Sequence, residues 1–380
     1  MRVSGDWIDN PATQAVCHAI ECAGHQALFV GGCVRNALLD RPVSDIDIAT
    51  DADPHTVSDI AERAGFKVAP TGIDHGTVTV IAQGIPHEVT TFRQDIETDG
   101  RRAVVAYSPH IEDDAARRDF TMNALYARRD GTVIDPLGGL PDLLARRLRF
   151  VGDADARIRE DYLRILRFFR FHAIYGDPEG GIDAEGLAAC ARHAPAISGL
   201  SAERIGAEMR KLLAAEDPAP SVAAMERAGV LAQVLPGGDA RLLAVLVHLE
   251  GGLPPRWLRR LAVLGGEDVT DRWRLSRAES RDLGHIRDAL GAMSTPAVLG
   301  YRLGATLAAD TVLARAALFG TALPDDWMAE ITRGASTAFP VKPADLMPAL
   351  QGAALGTRLK ELEAQWLQSD LRLRREALLG

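Results

Sequence analysis

Two short stretches decide the fold of this 380-residue chain: FVGGCVRNALL at residues 29–39 and SDIDI at residues 44–48. The first runs from an apolar β-type segment through a glycine pair into a helical segment. Glycine lets the backbone approach a ligand closely, and the start of a helix offers unpaired N–H groups to an anion. We therefore predict that Gly31 and Gly32 bind phosphate and that Arg35 adds charge-assisted hydrogen bonds. An ordinary tight turn is the alternative.

The second stretch predicts a metal site. Alternate side chains of a strand point to the same face, so Asp45 and Asp47 project together. Neighbouring carboxylates repel each other unless a cation lies between them, and Mg²⁺ prefers carboxylate and phosphate oxygens. Glu88, on another β-type segment, is a third candidate catalytic carboxylate. The alternative is a solvent-facing edge strand whose charges oppose aggregation.

Outward from these stretches, the two parts of the chain differ in pattern. Short β-type runs at residues 28–30, 45–48, 76–81, 86–92 and 132–134 alternate with helical segments such as residues 55–64. From about residue 141 onward, apolar residues recur at helical spacing and strand signals nearly vanish. We therefore expect a compact α/β head followed by an elongated all-α body.

Composition limits the possible partners and locations. A net charge of −9, from 43 basic and 52 acidic residues, argues against a protein that coats nucleic acid without specificity. Two arginine clusters could each be a local RNA-binding face or a solvated helix surface: Arg256, Arg259 and Arg260, and Arg372, Arg374 and Arg375. No apolar run reaches the roughly 20 residues that span a bilayer, and the start of the chain does not have the pattern of a signal peptide. We expect a cytoplasmic protein with reduced, mostly buried cysteines and no structural zinc.

The segment REDYLRILRFFRF at residues 159–171 predicts a largely buried helix with Glu160, Asp161 and Arg164 on one face. A carboxylate beside a guanidinium matches the amino group and ring nitrogen that cytosine and adenine both present. Guanine and uracil present the opposite order, which costs about 1–3 kcal/mol for each unpaired buried group. This helix could therefore accept CTP and ATP without a template. A salt-bridged helix surface is the alternative.

In order and spacing, these motifs resemble those of class II tRNA nucleotidyltransferases and bacterial poly(A) polymerases. The resemblance rests on GGCVRNALL at 31–39, DIDIAT at 45–50, RRDFTMNAL at 117–125 with DPLGG at 135–139, and ED-x-x-R at 160–164. It implies a polymerase-β-like α/β nucleotidyltransferase head followed by an elongated all-α neck, body and tail. The expected boundaries are residues 1–145 for the head, 146–210 for the neck, 211–270 for the body and 271–380 for the tail.

The resemblance also implies a role for each site residue. Asp45 and Asp47 would hold Mg²⁺ for two-metal phosphoryl transfer. The second motif supplies nucleotide-binding residues: Arg118 for phosphate or sugar, Asp119 for a ribose hydroxyl, and Asn123. In the last motif, Asp161 and Arg164 would read the base, Glu160 would support Arg164, and Arg167 would contact phosphate or the base face. Asn36 stands where the family commonly has Asp, which puts in doubt any role of that acid in orienting Arg35.

The implied activity is addition of C, C and A to the 3′ end of tRNA from CTP and ATP, with release of pyrophosphate. The resemblance identifies residues 93–102 as a mobile head loop needed for the terminal A, and the tail, including Lys342, Arg358 and Lys360, as a tRNA-binding element. Alternatives are a poly(A) polymerase, an enzyme adding only CC, a nonenzymatic RNA-binding protein or a small-molecule nucleotidyltransferase. The sequence indicates no protein partner and no membrane association.

Overall fold

The computed structural model describes residues 1–99 and 102–380, which form two compact units. The head unit contains residues 1–200 and 227–233, and the helical unit contains residues 201–226 and 234–380. The described strands all lie before residue 135, so the predicted change from an α/β to an all-helical chain is confirmed. The four-part division into head, neck, body and tail stays a prediction.

The strands are short. They are β1 (Leu28–Val30), β2 (Asp47–Thr50), β3 (Lys67–Ala69), β4 (Thr77–Ala82), β5 (Ile85–Thr91), β6 (Arg93–Asp99), β7 (Arg102–Tyr107), β8 (Tyr126–Ala127) and β9 (Val133–Ile134). The helices up to residue 200 are α1 (Asp6–Asp9), α2 (Pro11–Cys22), α3 (Gly32–Leu38), α4 (Pro54–Arg63), α5 (Ile111–Ala116), α6 (Leu140–Leu144), α7 (Ala154–Glu160), α8 (Leu163–Tyr175) and α9 (Ala184–His193).

Seven of these strands form a mixed sheet in the order β3-β4-β5-β2-β1-β8-β9. Strand β2 lies at its centre, parallel to β5 and antiparallel to β1. The register places Asp47 directly opposite Glu88. The alternative of a charged edge strand is therefore wrong, because the strand that begins at Asp47 is paired on both sides.

The predicted strands are found with small shifts, and the sequence missed β3 and β8. The largest shift concerns β2, which begins at Asp47 and leaves Asp45 in the segment before it. Pairing nevertheless continues ahead of β2, because the N–H of Glu88 donates to the carbonyl of Ile46 over 3.2 Å. The predicted helix at 55–64 is confirmed as α4.

Residues 93–102, predicted to be a mobile loop, contain strand β6 and the first residue of β7. Strands β6 and β7 pair antiparallel from Arg93↔Tyr107 to Asp99↔Arg102, with a register shift between Asp95 and Glu97. Most of the segment is therefore strand, and its mobility stays a prediction. The predicted flexible position, Gly100, lies outside the described residues.

The predicted continuous helix at 159–171 is broken. Helix α7 ends at Glu160, Asp161 has extended backbone angles (φ −154°, ψ 107°), and α8 begins at Leu163. The placement of Glu160, Asp161 and Arg164 on one face of a single helix is therefore wrong. Aromatic packing fixes α8 against the head core: the Phe150 and Phe168 rings stack with centroids 5.3 Å apart, and Phe120 lies 5.0 Å from Phe150.

The helices from residue 201 onward are as follows. They are α10 (Ala202–Leu213), α11 (Ala219–Arg227), α12 (Val230–Val234), α13 (Leu243–Glu250), α14 (Trp257–Leu264), α15 (Val269–Arg272), α16 (Arg277–Leu290), α17 (Pro296–Phe319), α18 (Trp327–Ser336), α19 (Gly352–Gln368) and α20 (Arg375–Leu379). The sequence predicted that Leu359, Leu362 and Trp366 face inward from the tail helix. In α19, Leu362 and Trp366 are buried, and Leu359 packs against the same cluster.

The first arginine cluster is also a correction. Arg259 and Arg260 are 2% and 1% exposed and form ion pairs with Glu250 inside the helical unit. Arg256 and Arg259 both pair with Asp310, which is 0% exposed. Neither an RNA-binding face nor a solvated surface describes the two buried arginines. The second cluster, by contrast, is exposed.

Candidate active site

The predicted phosphate-binding turn follows β1. Gly31 has φ +68°, which favours glycine, and a Cβ there would lie 3.3 Å from Nη1 of Arg118. Arg35 follows in α3 and is 7% exposed. Its Nη2 donates to the Tyr175 hydroxyl over 2.7 Å and to Oδ1 of Asn36 over 3.0 Å. Asn36 thus accepts from Arg35 as a neutral amide at the position where the family commonly has an acid.

The predicted metal-binding acids lie at the start of β2. Asp47 is half-buried, whereas Asp45 and Glu88 are exposed. Burial, together with the negative charges of Glu88 and Asp45, raises the pKa of Asp47 from 3.8 to about 6, against the opposing effect of Arg118. A carboxylate whose ionisation is opposed by burial and by two other acids is a candidate cation ligand.

The number of acids at this site is consistent with what Mg²⁺ takes from a protein. In residues 1–99 and 102–380, no three His, Cys, Asp or Glu side chains are arranged to hold a metal ion. Magnesium typically takes one or two carboxylates and completes its shell with water and substrate phosphates. The Asp45 and Asp47 pair fits that donor set, and the role of Glu88 stays a prediction.

Arg118 is held firmly from beneath the glycine turn. Its Nη2 donates to Oδ2 of Asp114 over 2.8 Å, and its Nε donates to the Tyr126 hydroxyl over 3.1 Å. Asp114 is 1% exposed and also accepts from Arg117 and from the Tyr126 hydroxyl. Despite the opposing effect of burial, these partners lower the pKa of Asp114 to about 2. Asp114 therefore fixes the two arginines of the second motif.

The remaining residues of that motif form a hydrogen-bond chain. Arg167 Nε on α8 donates to Oδ2 of Asp119 over 2.8 Å, and Asn123 Nδ2 donates to Oδ1 of Asp119 over 2.8 Å. Asn123 in turn accepts from Nη1 of Arg35. Asp119 is 8% exposed, and despite its burial Arg167 and Asn123 lower its pKa. The chain joins the predicted phosphate arginine to α8.

The predicted base-reading residues lie at the break between α7 and α8. Arg164 Nη1 donates to Oε2 of Glu160 over 2.6 Å, and Nη2 donates to the Arg117 carbonyl over 3.0 Å. The predicted contact between Glu160 and Arg164 is therefore present. Asp161 Oδ1 accepts from the N–H of Leu163 over 3.0 Å, which caps the start of α8.

The predicted residues thus lie in two groups. One group is the acids at the start of β2, and the other is the set of hydrogen-bonded residues that contact α8. Sequence reasoning missed Asp114, Tyr126 and Tyr175. The sequence did contain a signal for Asp114. This residue lies three residues before Arg117 and four before Arg118, a spacing that places side chains on the same face of a helix. Tyr175 gave no such signal, since its partner Arg35 is 140 residues away.

A separate cavity of about 540 Å³ also lies in the head unit. It is lined by Ala116, Phe150, Asp153, Arg157 and Glu185, among others. No predicted site residue lines it. Arg157 connects it to the predicted base-reading residues, because the Arg157 carbonyl accepts from Arg164 over 3.0 Å.

Comparisons with known proteins identify the family to which the chain belongs. Residues 27–149 match the poly A polymerase head domain, and residues 181–242 match a domain described as a probable RNA- and SrmB-binding site of polymerase A. The mouse mitochondrial CCA tRNA nucleotidyltransferase 1 is 31% identical over 374 residues, which cover 94% of this chain and 86% of the mouse protein. The chain belongs to the family of CCA tRNA nucleotidyltransferases.

Other family members agree with this assignment over different lengths. The human mitochondrial CCA tRNA nucleotidyltransferase 1 is 42% identical over 190 residues, so the chain spans under half (44%) of the human protein in that match. The crystal structure of the Bacillus stearothermophilus CCA-adding enzyme in complex with CTP has a TM-score of 0.75 and 29% identity, covering 94% of this chain and 93% of that one. By family, the chain is a nucleotidyltransferase, and such enzymes use a divalent metal.

Proposed function

We propose that this chain adds C, C and A to the 3′ end of tRNA from CTP and ATP, without a template, and releases pyrophosphate. The observation that carries the proposal is the guanidinium of Arg164, held at Glu160 and at the carbonyls of Arg157 and Arg117, in the same compact unit as the acids Asp45 and Asp47. Base selection would use the Arg164 region, and phosphoryl transfer would use Asp45 and Asp47. Membership of the CCA tRNA nucleotidyltransferase family makes tRNA the proposed substrate for both steps.

The acids at the start of β2 would provide the metal site. We propose that Asp45 and Asp47 bind Mg²⁺, which when bound would neutralise charge on the triphosphate and favour ionisation of the primer 3′-hydroxyl. Arg35 and Arg118 would add positive charge toward the phosphate oxygens. The two oxygens of Asp119 already accept from Arg167 and Asn123. We propose that Asp119 holds these two side chains in position around the ribose.

Base selection would rest on Asp161 and Arg164. Arg164 is bound at Glu160 and at the carbonyls of Arg157 and Arg117, so its guanidinium plane is fixed before a nucleotide arrives. A preorganised donor beside a carboxylate would pair with cytosine or adenine. It would leave buried groups unpaired against guanine or uracil.

The incorporation assay uses a tRNA that lacks its 3′ CCA, with each nucleoside triphosphate alone and with CTP plus ATP. We expect two residues from CTP alone, three from CTP plus ATP, and none from GTP or UTP. A long A-tail would instead identify a poly(A) polymerase, and a stop at two residues an enzyme adding only CC. Asp47→Asn should be inert, whereas Asp59→Asn, an exposed aspartate on α4, should match the unaltered chain.

A nonenzymatic RNA-binding role makes the opposite prediction in the same assay: the unaltered chain and Asp47→Asn would both bind tRNA and both incorporate nothing. The cytoplasmic location also remains a proposal. No helix among the described residues combines the length and apolar character that crossing a bilayer requires.

A further inference from the structure

Arg35 is a buried cation that is bound by neutral oxygens. Within the described residues its hydrogen bonds go to Oδ1 of Asn123, Oδ1 of Asn36 and the hydroxyl of Tyr175. Buried arginines are usually paired with a carboxylate, because an uncompensated buried charge is costly. Here the directly bonded groups carry no charge, and Asp119, which accepts from Asn123, attracts Arg35 without bonding to it, so Arg35 has no direct ion pair with a carboxylate and can attract an anionic ligand.

Tyr175 controls both the plane and the direction of this guanidinium. Its ring centroid lies 4.1 Å from Cζ of Arg35, which is cation–π distance. Its hydroxyl oxygen accepts from Nη2 of Arg35 over 2.7 Å and can donate to Oδ1 of Asn36 over 3.3 Å. One side chain therefore contacts both the face and the edge of the guanidinium.

Asn36 bonds the edge of the guanidinium that Tyr175 also contacts at Nη2, and Asn123 bonds Nη1 on the other side. Its Oδ1 accepts from Nε and Nη2 of Arg35 over 3.2 and 3.0 Å. Its Nδ2 donates to the carbonyl of Pro42 over 2.9 Å, which fixes the orientation of the amide. The amide oxygen therefore points to Arg35 because the amide nitrogen already has a backbone partner.

We infer that Tyr175 and Asn36 are positioning residues that orient Arg35 toward the phosphates of the incoming nucleotide. This inference rests on the proposed function, in which Arg35 binds the triphosphate. Tyr175 is the last residue of α8, whose first turn carries Arg164. The same helix therefore positions the base-reading arginine at one end and supports the phosphate-binding arginine at the other.

A base-free ligand isolates this role. Binding of inorganic pyrophosphate to the full chain, with Mg²⁺ present, is measured by isothermal titration calorimetry. We expect Tyr175→Leu and Asn36→Leu each to raise the Kd about tenfold, as expected for lost hydrogen bonds to a charged group. Tyr175→Phe keeps the ring and should lose about threefold.

A double-variant cycle separates positioning from a general loss of structure. In an Arg35→Gln background, Tyr175→Leu should weaken pyrophosphate binding by less than about twofold, because the group that it positions is gone. Tyr301→Leu, which removes a hydrogen-bonded tyrosine of the helical unit, is the matched control and should leave the Kd unchanged. Thermal unfolding and circular dichroism check that each variant folds.

Three results would overturn the inference: no pyrophosphate binding by the unaltered chain, an unchanged Kd for Tyr175→Leu, or an equal loss in the presence and absence of Arg35. Failure of the proposed function looks different. If the unaltered chain bound pyrophosphate and showed the expected cycle but added nothing to tRNA, the positioning role would stand and the CCA-adding activity would not.

Discussion

Asp47 lies where its negative charge destabilises the folded chain. Burial and the nearby Glu88 and Asp45 raise its pKa from 3.8 to about 6. Between these two pH values the folded chain binds more protons than the unfolded chain, so ionisation of Asp47 lowers stability as the pH rises. Above about pH 6 the full cost is present. A bound cation would relieve it.

We therefore predict that Asp47→Asn increases stability while it abolishes nucleotide addition. At pH 8 without divalent metal, the free energy of unfolding should rise by about 1–3 kcal/mol, since the variant has no charge to bury. At pH 4, where Asp47 in the folded chain is mostly protonated, the change should be near zero. Urea unfolding at both pH values measures this, with Asp59→Asn as the exposed control. An Asp47→Asn variant no more stable at pH 8 than the unaltered chain would contradict the prediction.

The predictability of each site residue follows from the range of its contacts. Asp45, Asp47 and Arg164 could be proposed as site residues from the sequence because each lies in a short motif whose other members are within a few residues. The hydrogen bonds from Arg35 to Tyr175 and from Arg167 to Asp119 join residues 140 and 48 apart. Local spacing carries no information on such pairs, so motif analysis identified candidate residues but not the hydrogen bonds between them.

At the scale of elements, the sequence predicted five of the seven strands of the mixed sheet but not the β6–β7 pair. Strand β6 was missed because residues 93–102 are mostly charged or polar. The alternating small and β-branched residues of RAVVAY at 102–107 are the signal that could have indicated its partner strand. The break after α7 was missed for another reason. Apolar spacing continues through residues 159–171, and a single extended residue does not disturb that pattern enough to be visible.

The β6–β7 pair gives a sharper deletion than removal of residues 93–102, which would leave β7 without its partner. Arg93 and Tyr107 are cross-strand partners, so residues 94–106 can be replaced by a two-glycine turn. We predict that this variant still adds both C residues within about threefold of the normal rate and loses the terminal A by more than about tenfold. Gel analysis of tRNA extended with CTP alone and with CTP plus ATP measures both steps. Equal loss of C and A addition would rule out a specific role for this strand pair.

At the scale of the whole chain, the composition does not reveal where the charged side chains lie. Arg259 and Arg260 are counted among the basic residues, yet they lie inside the helical unit with Glu250 and Asp310. Arg260 also donates to the carbonyl of Leu213 over 2.7 Å and to that of Glu216 over 2.8 Å. The network therefore ties α13, α14 and α17 to the segment after α10. The sequence pattern could not distinguish this buried network from an exposed helix surface, because the carboxylates that pair with the arginines are brought to them only by the folding of the chain.

Removal of one carboxylate should show how strongly this network holds the helical unit together. Glu250→Ala leaves Arg259 and Arg260 without their shared partner, and breaking a buried ion pair in this way costs about 3–5 kcal/mol of stability. Chemical denaturation measures the change. Glu361→Ala is the control, because the Glu361 side chain is 54% exposed and pairs only with a surface arginine in the described chain, which is worth about 0–1 kcal/mol. A loss below about 1 kcal/mol for Glu250→Ala would show that the network is not a stabilising anchor.

The position of Asp161 restricts how nucleotide preference can change by mutation. Its carboxylate accepts from the N–H of Leu163 at the start of α8, so a substitution there alters the helix end as well as the proposed base contact. Alanine would lose about 1 kcal/mol of capping in addition to any effect on selection. Asparagine preserves the cap and offers both a donor and an acceptor to a base. If Asp161 reads the base as proposed, asparagine is therefore the substitution expected to relax discrimination among the four nucleotides with the least damage to the start of α8.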